Sequence, residues 1–548
     1  MGIGGTVFSA DSIGGIQAVR RLLLTIRTIR HLRCVQIWNR LWRRRLSLWP
    51  WRSRCRACGK ASRFPGLTAS GAIWPAYHDV WDGEHAFTFL NETHGLAAAA
   101  DWRDHGRRRL WLYNLHYFDC LRQRSLPSTD AAQSLIDRWI DENPQGVGDG
   151  WDPYPVSLRV VNWIKWLLAR PGLPPQALGK MTASLLAQVR WLCPRLEYHL
   201  LANHLLANAK ALVFAGVFFE GPDAERWYGK GMSIYRRELP EQILDDGIHF
   251  ELSAMYHSII LEDLLDCVNL LELDDRRRQD DLSFLKNAAG RMLGGLAVLT
   301  GPDGKIAKFN DSADGIALPQ ATLLEYAARL GVAAVRHGNP PCLGRTSGYV
   351  RIVKGEWTLV AKCGRIGPSY QPGHAHADTL TFELWKGNEK VVCDTGTDRY
   401  EIDDERRRQR GTCAHNTVTV DDCDSSEVWA GHRVARRAEP MAVELDVAAG
   451  RIDAEYRDFR GFVHRRTLVL SAEGLSGTDT VEGSGVHTIA ARFHQPLQPC
   501  AAVSQCGDCA MRSEECTLAV EFGRICAGRC EVVEKTAALP AKLEWIVR

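Results

Sequence analysis

Long apolar runs are missing from this sequence of 548 residues. No stretch approaches the ~18–20 consecutive apolar residues that a membrane-spanning helix needs, so no transmembrane helix is predicted. The first residues also lack the order of positive charge, apolar core and small-residue cleavage site that marks a secretory signal peptide. The expectation from these two absences is that the chain, as written, is not exported by the signal-peptide route.

Regular metal-binding and nucleotide-binding motifs are scarce as well. The 17 cysteines are an odd number scattered along the chain, which favours free thiols over a disulfide framework. Cys55 and Cys58 have zinc-knuckle spacing, as do Cys506 and Cys509, but neither pair has a partner pair at regular zinc spacing. No glycine-rich phosphate loop stands in a convincing context and no nucleic-acid motif is present, so nucleic acid is not an expected partner.

Acidic residues are nearly absent from the first 60 residues. This part holds 13 of the 68 Lys and Arg residues but only one of the 65 Asp and Glu residues, although the formal net charge of the chain is only +3. Its apolar residues recur at helical spacing, so residues 1–60 are predicted to form a basic amphipathic arm. The arm could contact an anionic membrane, an acidic polymer or an acidic partner, or could be a solvated helix docked on the main body.

Helical periodicity dominates the segment 106–340. Apolar residues fall at three- and four-residue spacing, most clearly over 157–169, 196–219 and 251–273. Many helices of similar length in succession predict antiparallel hairpins stacked around an axis, as a toroid or a bundle.

A period of two replaces the helical period after residue 346. Alternating apolar residues with Gly and Asp turns over 346–548 predict antiparallel sheets packed as a sandwich. The Pro and Gly content of 336–348 is typical of a linker between the two domains. Residues 61–105 are predicted to be a short mixed segment before the helices.

Polar residues interrupt these elements in four places. They are Asn203-His204, Tyr256-His257, the pair His374 and His376, and Asp394 together with His415-Asn416. Any one of them could be an ordinary hydrogen-bonded core group. His376, Asp394 and His415 each lie at the edge of a predicted strand, however, and two imidazoles with one carboxylate suit Zn²⁺, with a fourth position for water or another side chain.

Several blocks of the sequence together resemble one known family. They are "WLYNLHYFD" (111–119), "NHLLANAKAL" (203–212), "DGIHFELSAMYH" (246–257), "GHAHADTLTFEL" (373–384), "DTGTDRY" (394–400) and "HNTV" (415–418). In this order they resemble the heparinase II/III-like polysaccharide lyases, over roughly residues 80–500. The resemblance implies an incomplete α/α toroid over 106–340 as the catalytic domain, followed by an antiparallel β-sandwich over 346–548. It also implies cleavage of a uronic-acid polysaccharide by β-elimination, at a cleft between the two domains.

The resemblance also implies a set of catalytic residues, namely Asn203, His204, Tyr256 and His374. Asn203 and His204 would donate hydrogen bonds to the substrate carboxylate, onto which charge spreads in the transition state. Tyr256 would protonate the leaving oxygen, and would also act as the base if its surroundings lowered a pKa that starts near 10. His374 suits either the base or the neutralising group.

The same resemblance implies that His376, Asp394 and His415 hold a divalent metal ion. We expect Zn²⁺ in a structural role, because ligands on sandwich strands would fix the loop that presents His374. Strand alternation would place His374 and His376 on the same side of a strand.

Further residues are candidates for contact with the substrate. They are Arg159, Asn162, His257 and Arg410, with Asp311 as another polar candidate. Arg159 and Asn162 would lie one helical turn apart and could bind an acidic sugar. The run Arg406-Arg407-Arg408 is interpreted as a solvated loop that could steer a polyanion.

Two other functions stay open at this point. A glycoside hydrolase would need two carboxylates across the cleft, for which Glu251 and Asp311 are the available pair. A carbohydrate-binding or exopolysaccharide accessory protein would bind without turnover. The polymer could be heparin-like, alginate-like or a bacterial exopolysaccharide. The missing signal peptide favours the cytoplasm and the family resemblance favours the cell envelope or periplasm, so both locations stay open.

Overall fold

A computed structural model describes residues 10–48, 74–125, 127–170, 173–274, 276, 278–335 and 346–548. The predictions for the Cys55 and Cys58 pair and for most of the 336–348 linker fall outside these residues. The basic arm contains helices α1 (Ala10–Ile29) and α2 (Cys34–Leu48). A hairpin of β1 (Ala86–Phe89) and β2 (Glu92–Gly95) then leads into the main body. No helix of the described part is long and apolar enough to cross a membrane.

The helical domain is built around one buried helix. Its helices are α3 (Arg109–Tyr117), α4 (Thr129–Glu142), α5 (Pro153–Leu168), α6 (Pro175–Leu192), α7 (Ala202–Phe218), α8 (Pro222–Gln242), α9 (Ala254–Glu272), α10 (Gln279–Val298) and α11 (Gln320–Arg329). Helix α7 is buried on nearly every side and packs against α5, α8 and α9. A helix that is apolar all round has to lie inside a domain, so its neighbours close around it. The result is the incomplete α/α toroid that the family resemblance implied, and of the two arrangements that the periodicity left open, toroid or bundle, it is the toroid.

The start of α7 differs from the predicted helix over 196–219. Leu201 and Ala202 have φ angles of 63° and 51°, in the left-handed region that ends a right-handed helix. The residues before them form a short turn, although they continue the apolar pattern. Asn203 therefore lies in the first turn of α7, where the helix faces the second domain.

The second domain is an antiparallel sandwich. Its strands are β3 (Tyr349–Lys354), β4 (Trp357–Lys362), β5 (Thr381–Lys386), β6 (Glu389–Val392), β7 (Val418–Val420), β8 (Val428–Trp429), β9 (Arg433–Val434), β10 (Glu439–Asp446), β11 (Arg451–Arg457), β12 (Val463–Ser471), β13 (Gly474–Glu482), β14 (Val486–Pro496), β15 (Val503–Cys506), β16 (Ala510–Glu521), β17 (Arg524–Ala538) and β18 (Ala541–Val547). A short helix, α12 (Asp404–Arg410), lies between β6 and β7.

Three sheets enclose the core of this sandwich. One has the order β10-β11-β12-β13-β18-β15, and two four-stranded sheets have the orders β16-β17-β14-β7 and β3-β4-β5-β6. Phe382, Phe493 and Trp545 meet between them, with Trp545 stacked on Phe382 at 5.6 Å between ring centroids. The predicted β-sandwich is thus confirmed. The described cysteines, 14 of the 17, are free thiols, as predicted.

Candidate active site

A cleft of about 1100 Å³ lies between the toroid and the sandwich. Six tyrosines are among the residues that line it: Tyr77, Tyr113, Tyr117, Tyr154, Tyr256 and Tyr400. It is also lined by Asn203, His204 and His374. The four residues predicted to be catalytic, which come from widely separated parts of the chain, therefore lie in the same cleft.

His374 has polar partners at both ring nitrogens. Its Nδ1 lies 2.9 Å from Oδ2 of Asp311, and its Nε2 lies 3.4 Å from Nδ2 of Asn203 and 3.3 Å from Oε2 of Glu251. Because the Asp311 carboxylate only accepts hydrogen bonds, Nδ1 carries the proton in the neutral tautomer that we assign. Nε2 then has a lone pair that can accept a hydrogen bond from Nδ2 of Asn203, whereas the Glu251 carboxylate can pair with Nε2 only when that nitrogen is protonated.

Asp311 is shared by two histidines and an arginine. Its Oδ1 lies 2.9 Å from Nε2 of His376, and Arg406 donates two hydrogen bonds to its carboxylate at 2.5 and 2.8 Å. Burial would raise the pKa of Asp311, but Arg406 and the two imidazoles hold that pKa well below its ordinary value. The structure therefore explains the two histidines differently from strand alternation, because both lie in the loop before β5 and both reach one carboxylate.

The amide of Asn203 is fixed by Glu251. The backbone N–H of Asn203 donates to Oε1 of Glu251 at 2.9 Å, and its Nδ2 lies 2.9 and 3.1 Å from the two carboxylate oxygens. The neighbouring His204 has its Nδ1 3.3 Å from Oε1 of Glu197, and its ring lies 4.6 Å from that of Tyr154. These carboxylates orient two hydrogen-bonding side chains at the start of α7.

Tyr256 packs directly on His374. The ring centroids are 3.8 Å apart and nearly parallel, and the Tyr256 hydroxyl lies 3.2 Å from the hydroxyl of Tyr400. Burial, reinforced by Tyr400, raises the pKa of Tyr256 well above its ordinary value. The Tyr256 hydroxyl therefore keeps its proton, which suits an acid. A second role as base would require the opposite shift of this pKa.

Backbone strain occurs at three positions beside this site. Ala202, Leu252 and Asn310 have φ angles of 51°, 57° and 56°, and each is next in sequence to one of the polar residues described above. Non-glycine residues in the left-handed region cost free energy and persist where the surrounding structure holds them, often at functional sites. The strain supports a function for the convergence of these loops.

Arg159 is a structural residue, contrary to its predicted contact with substrate. It is fully buried under the helices, where its guanidinium lies 3.7 Å from the ring centroid of Trp139 and donates to Gln188 Oε1 at 2.9 Å. Asn162, by contrast, lines the cleft and donates to Asp119 Oδ1 at 2.9 Å. Helical spacing placed the two residues one turn apart, but only one of them faces the cleft.

His257 and Arg410 are also wrongly predicted as substrate contacts. His257 lies on α9 and is buried against α10, where its Nε2 lies 2.9 Å from the carbonyl oxygen of Met292. Arg410 is buried and donates to the carbonyl oxygens of Ala375 and Ala430. It therefore supports the loop that carries His374 from behind, without reaching the cleft.

The predicted metal ligands lie close together in the sandwich. His415 Nδ1 is 2.7 Å from Asp394 Oδ2, and the His376 and His415 ring centroids are 5.3 Å apart. Among the described residues, another trio has ligand atoms within 4.8 Å of one another. It consists of Asp311, His374 and His432. Arg406 already occupies the carboxylate of Asp311, so this second trio suits a cation poorly. The metal site at His376, Asp394 and His415 stays a prediction.

Arg406 and Tyr400 are functional candidates that sequence reasoning missed. The interpretation of residues 406–408 as a solvated loop is wrong, because α12 turns Arg406 and Arg410 inward while the Arg407 side chain is 73% exposed. The helical spacing of the buried residues was the available signal. Tyr400 stands at the end of the block "DTGTDRY", where no residue spacing distinguishes it from its neighbours.

Two family descriptions match most of the chain. "Heparinase II/III N-terminus" matches residues 131–327 and "Heparinase II/III-like, C-terminal" matches residues 336–524. A heparin-sulfate lyase of Bacteroides stercoris is 24% identical over 332 residues, which are 56% of this chain and 49% of that protein. One from Pedobacter heparinus is 26% identical over 316 residues, 52% of this chain and 46% of that protein. The chain thus spans about half the length of these curated relatives.

Solved structures agree on the fold. A crystal structure of heparinase III superposes with a TM-score of 0.62 at 17% identity, covering 88% of this chain and 83% of the other. The heparan sulfate lyase HepC from Pedobacter heparinus gives a TM-score of 0.56 at 18% identity, covering 88% and 85%. Because the N-terminal and the C-terminal family descriptions both match, the chain belongs to the heparinase II/III-like family.

Proposed function

We propose that this protein is a polysaccharide lyase that cleaves a uronic-acid polysaccharide by β-elimination. The observation that carries the proposal is the meeting of Asn203, Tyr256 and His374 in one cleft, with Tyr256 stacked on His374. The similarity to proteins named heparin-sulfate lyases supports the same class of reaction. Elimination needs a base, an acid and a group that pairs with the uronate, and these three residues offer all of them.

In this proposal His374 removes the C5 proton of the uronate. Its Nε2 takes the proton, and the electron pair of the C5–H bond forms a C4–C5 double bond. The carboxylate of Asp311 stabilises the imidazolium that results, because it already accepts from Nδ1 at 2.9 Å. Asn203 and His204 donate hydrogen bonds to the substrate carboxylate, where negative charge increases in the transition state.

Tyr256 completes the elimination by protonating the leaving oxygen. As the C4–O bond breaks, the hydroxyl of Tyr256 gives its proton to that oxygen. The nearby hydroxyl of Tyr400, at 3.2 Å, can donate a hydrogen bond to the phenolate that forms. Proton return from His374 through solvent restores both groups, and the products are a new chain end and an unsaturated uronate.

Hydrolysis is disfavoured by the position of the two carboxylates. Glu251 and Asp311 lie at opposite nitrogens of the same imidazole, that of His374, instead of facing each other across a bound sugar. Arg406 also holds the pKa of Asp311 low, whereas a hydrolase needs a protonated carboxyl as its acid. A binding protein without turnover would not need an acid and a base placed together.

We propose further that the uronate carboxylate is the main negative charge of the substrate. Among the described residues, the Arg and Lys side chains that line the cleft are Arg107, Arg108, Arg109, Arg122, Lys165 and Lys210. Each of them lies within 4.0 Å of a carboxylate of the protein itself. Dense sulfate would call for cations that are not already neutralised, so the cleft suits a sparsely sulfated or unsulfated polymer.

A panel of acidic polysaccharides tests both proposals. The purified chain should generate new ultraviolet absorbance, which elimination produces and hydrolysis does not. Unsulfated uronic polymers should be cleaved at least about tenfold faster than heavily sulfated ones, a preference of about 1.4 kcal/mol in the transition state. New reducing ends without absorbance would contradict elimination, and a faster rate on sulfated polymers would contradict the proposed substrate class.

We propose that His376, Asp394 and His415 hold a structural divalent ion. Two buried nitrogens, Nδ1 of His376 and Nε2 of His415, have no hydrogen-bond partner among the described residues. A buried polar atom is costly unless it binds something, so these two nitrogens are the atoms that an ion would take. Asp394 meets the opposite nitrogen of His415, Nδ1, at 2.7 Å. When bound, a Zn²⁺-like ion would tie the loop of His374 to the sandwich.

The metal proposal predicts different losses for the two neighbouring histidines. Elemental analysis should find about one ion per chain in the natural protein and in His374→Ala. His376→Ala should lose the ion and unfold at a lower temperature. Equal loss of metal in both variants would show that His374 is a ligand. Metal-free natural protein of full stability would contradict the proposed metal site.

A further inference from the structure

The two arm helices, α1 and α2, are docked beside the cleft. Arg27 pairs with Glu427, and Thr28 accepts a hydrogen bond from the indole N–H of Trp429 at 3.0 Å. Gln36 is buried and donates to the carbonyl oxygen of Tyr370 at 3.2 Å. One side of the helix pair is therefore committed to the main body, close to the loop 371–373 at the rim of the cleft.

The other side of the helix pair carries exposed apolar stripes. Its residues are Leu22, Ile26 and Ile29 on α1 and Trp38, Leu41 and Trp42 on α2. Within each helix they recur at three- and four-residue spacing, so they share a face. Leu22 is 59% exposed and Trp38 is 65% exposed, which is unusual for side chains of this size in repeated positions.

The charge around these stripes has one sign. Six arginines and no acidic residue lie between residues 18 and 42. Arg27 and Arg33 pair with carboxylates of the main body. Arg20, Arg21 and Arg40 have no carboxylate within 4.0 Å among the described residues. The helix pair thus presents apolar side chains together with cations that are available to an anionic partner.

We propose that this helix pair docks the protein on an anionic lipid bilayer. Exposed Leu, Ile and Trp beside unpaired Arg are the composition of helices that lie in the interface of a membrane. A second copy of the chain would bring the same positive charge against itself, and a dissolved polyanion would not need the apolar stripes. Docking would hold the cleft next to the membrane, where it could act on a polymer at that surface.

Flotation of the full chain with lipid vesicles tests this inference. Vesicles of phosphatidylcholine mixed with phosphatidylglycerol should bind the chain at least about tenfold more tightly than phosphatidylcholine alone, and added salt should weaken binding. The double variant Leu22→Glu/Ile26→Glu should lose this binding and keep its rate on soluble polymer. Leu497→Glu, at an exposed apolar residue of the sandwich, should retain both.

A second variant protects the test against a folding failure. Arg20→Gln/Arg21→Gln changes only exposed groups and should also weaken binding to the anionic vesicles. Absent binding, or equal binding to neutral and anionic vesicles, would overturn the proposal. So would a natural dimer that Leu22→Glu/Ile26→Glu converts to a monomer while vesicles stay unbound. Arginine variants that lose retention on a heparin column but keep vesicle binding would assign the arm to a polymer and overturn it too.

Discussion

Tyr256→Phe is expected to lower turnover by about 10² or more, the scale of a lost general acid. The substitution removes only the hydroxyl that would protonate the leaving oxygen, and the ring can still stack on His374. Because burial holds the pKa of Tyr256 well above its ordinary value, the natural hydroxyl is fully protonated at neutral pH. The measurement is the rate of ultraviolet absorbance gain at saturating polymer, with circular dichroism to verify the fold.

Tyr113→Phe is the matched control for this prediction. Tyr113 lines the same cleft, but its hydroxyl donates to Asp152 at 2.5 Å, away from His374. Its removal should change the rate only slightly. Near-natural turnover in folded Tyr256→Phe protein would exclude Tyr256 as the acid, and an equal loss in both variants would point to a general effect on the cleft.

Asp311→Ala is expected to lower the free energy of unfolding by about 3–5 kcal/mol, the usual cost of leaving a buried charge without its partner. Arg406 is buried and donates two hydrogen bonds to this carboxylate, and His374 and His376 bind it as well. The variant should also lose most of its turnover, because the imidazole of His374 is no longer oriented. Chemical denaturation and the rate on polymer measure the two effects.

An exposed ion pair gives the control for the stability effect. The Asp404 side chain is 93% exposed and pairs with Arg407, so Asp404→Ala should change the free energy of unfolding by no more than about 0.5 kcal/mol. Replacing both partners, as Asp311→Leu/Arg406→Leu, should be less destabilising than Asp311→Ala alone, although turnover stays lost. Natural stability in Asp311→Ala would contradict the central role of this carboxylate.

The lowered pKa of Asp311 makes the stability that its ion pair with Arg406 contributes depend on pH. Because the folded pKa of Asp311 lies below that of an unfolded Asp, near 4, its contribution to stability is complete at neutral pH. That contribution falls as the pH drops below about 4 toward the folded pKa. The stability lost by Asp311→Ala should therefore shrink in acid.

Much of the fold could be predicted from short stretches of sequence. Helical spacing identified α5 and α9 to within a few residues at most ends, and alternation identified the sandwich. These patterns are local, because a helix or strand repeats its buried face every few residues. The pattern failed where it continued through a turn, as before Asn203, since apolar residues there are buried without being helical.

The predicted catalytic residues came from the family resemblance more than from the patterns. The sequence contained Asn203, Tyr256 and His374 as separate polar interruptions, each with an ordinary explanation. Arg159 and Arg410 were also predicted as substrate contacts, the first from helical spacing, and the structure buries both behind the cleft. A residue's type shows which chemistry it can perform. Neither its type nor its position in a helix shows which side of the domain it faces.

The sequence by itself determined the two domains, the order of helices before strands, the free thiols and the basic arm, because composition and periodicity are properties of neighbouring residues. Only the tertiary structure decided that His374 and His376 share Asp311 with Arg406, and that Tyr256 meets Tyr400. Those contacts join residues 63 to 144 positions apart. They form when the toroid and the sandwich pack against each other, and the burial of polar groups at that junction then fixes their partners and their pKa values.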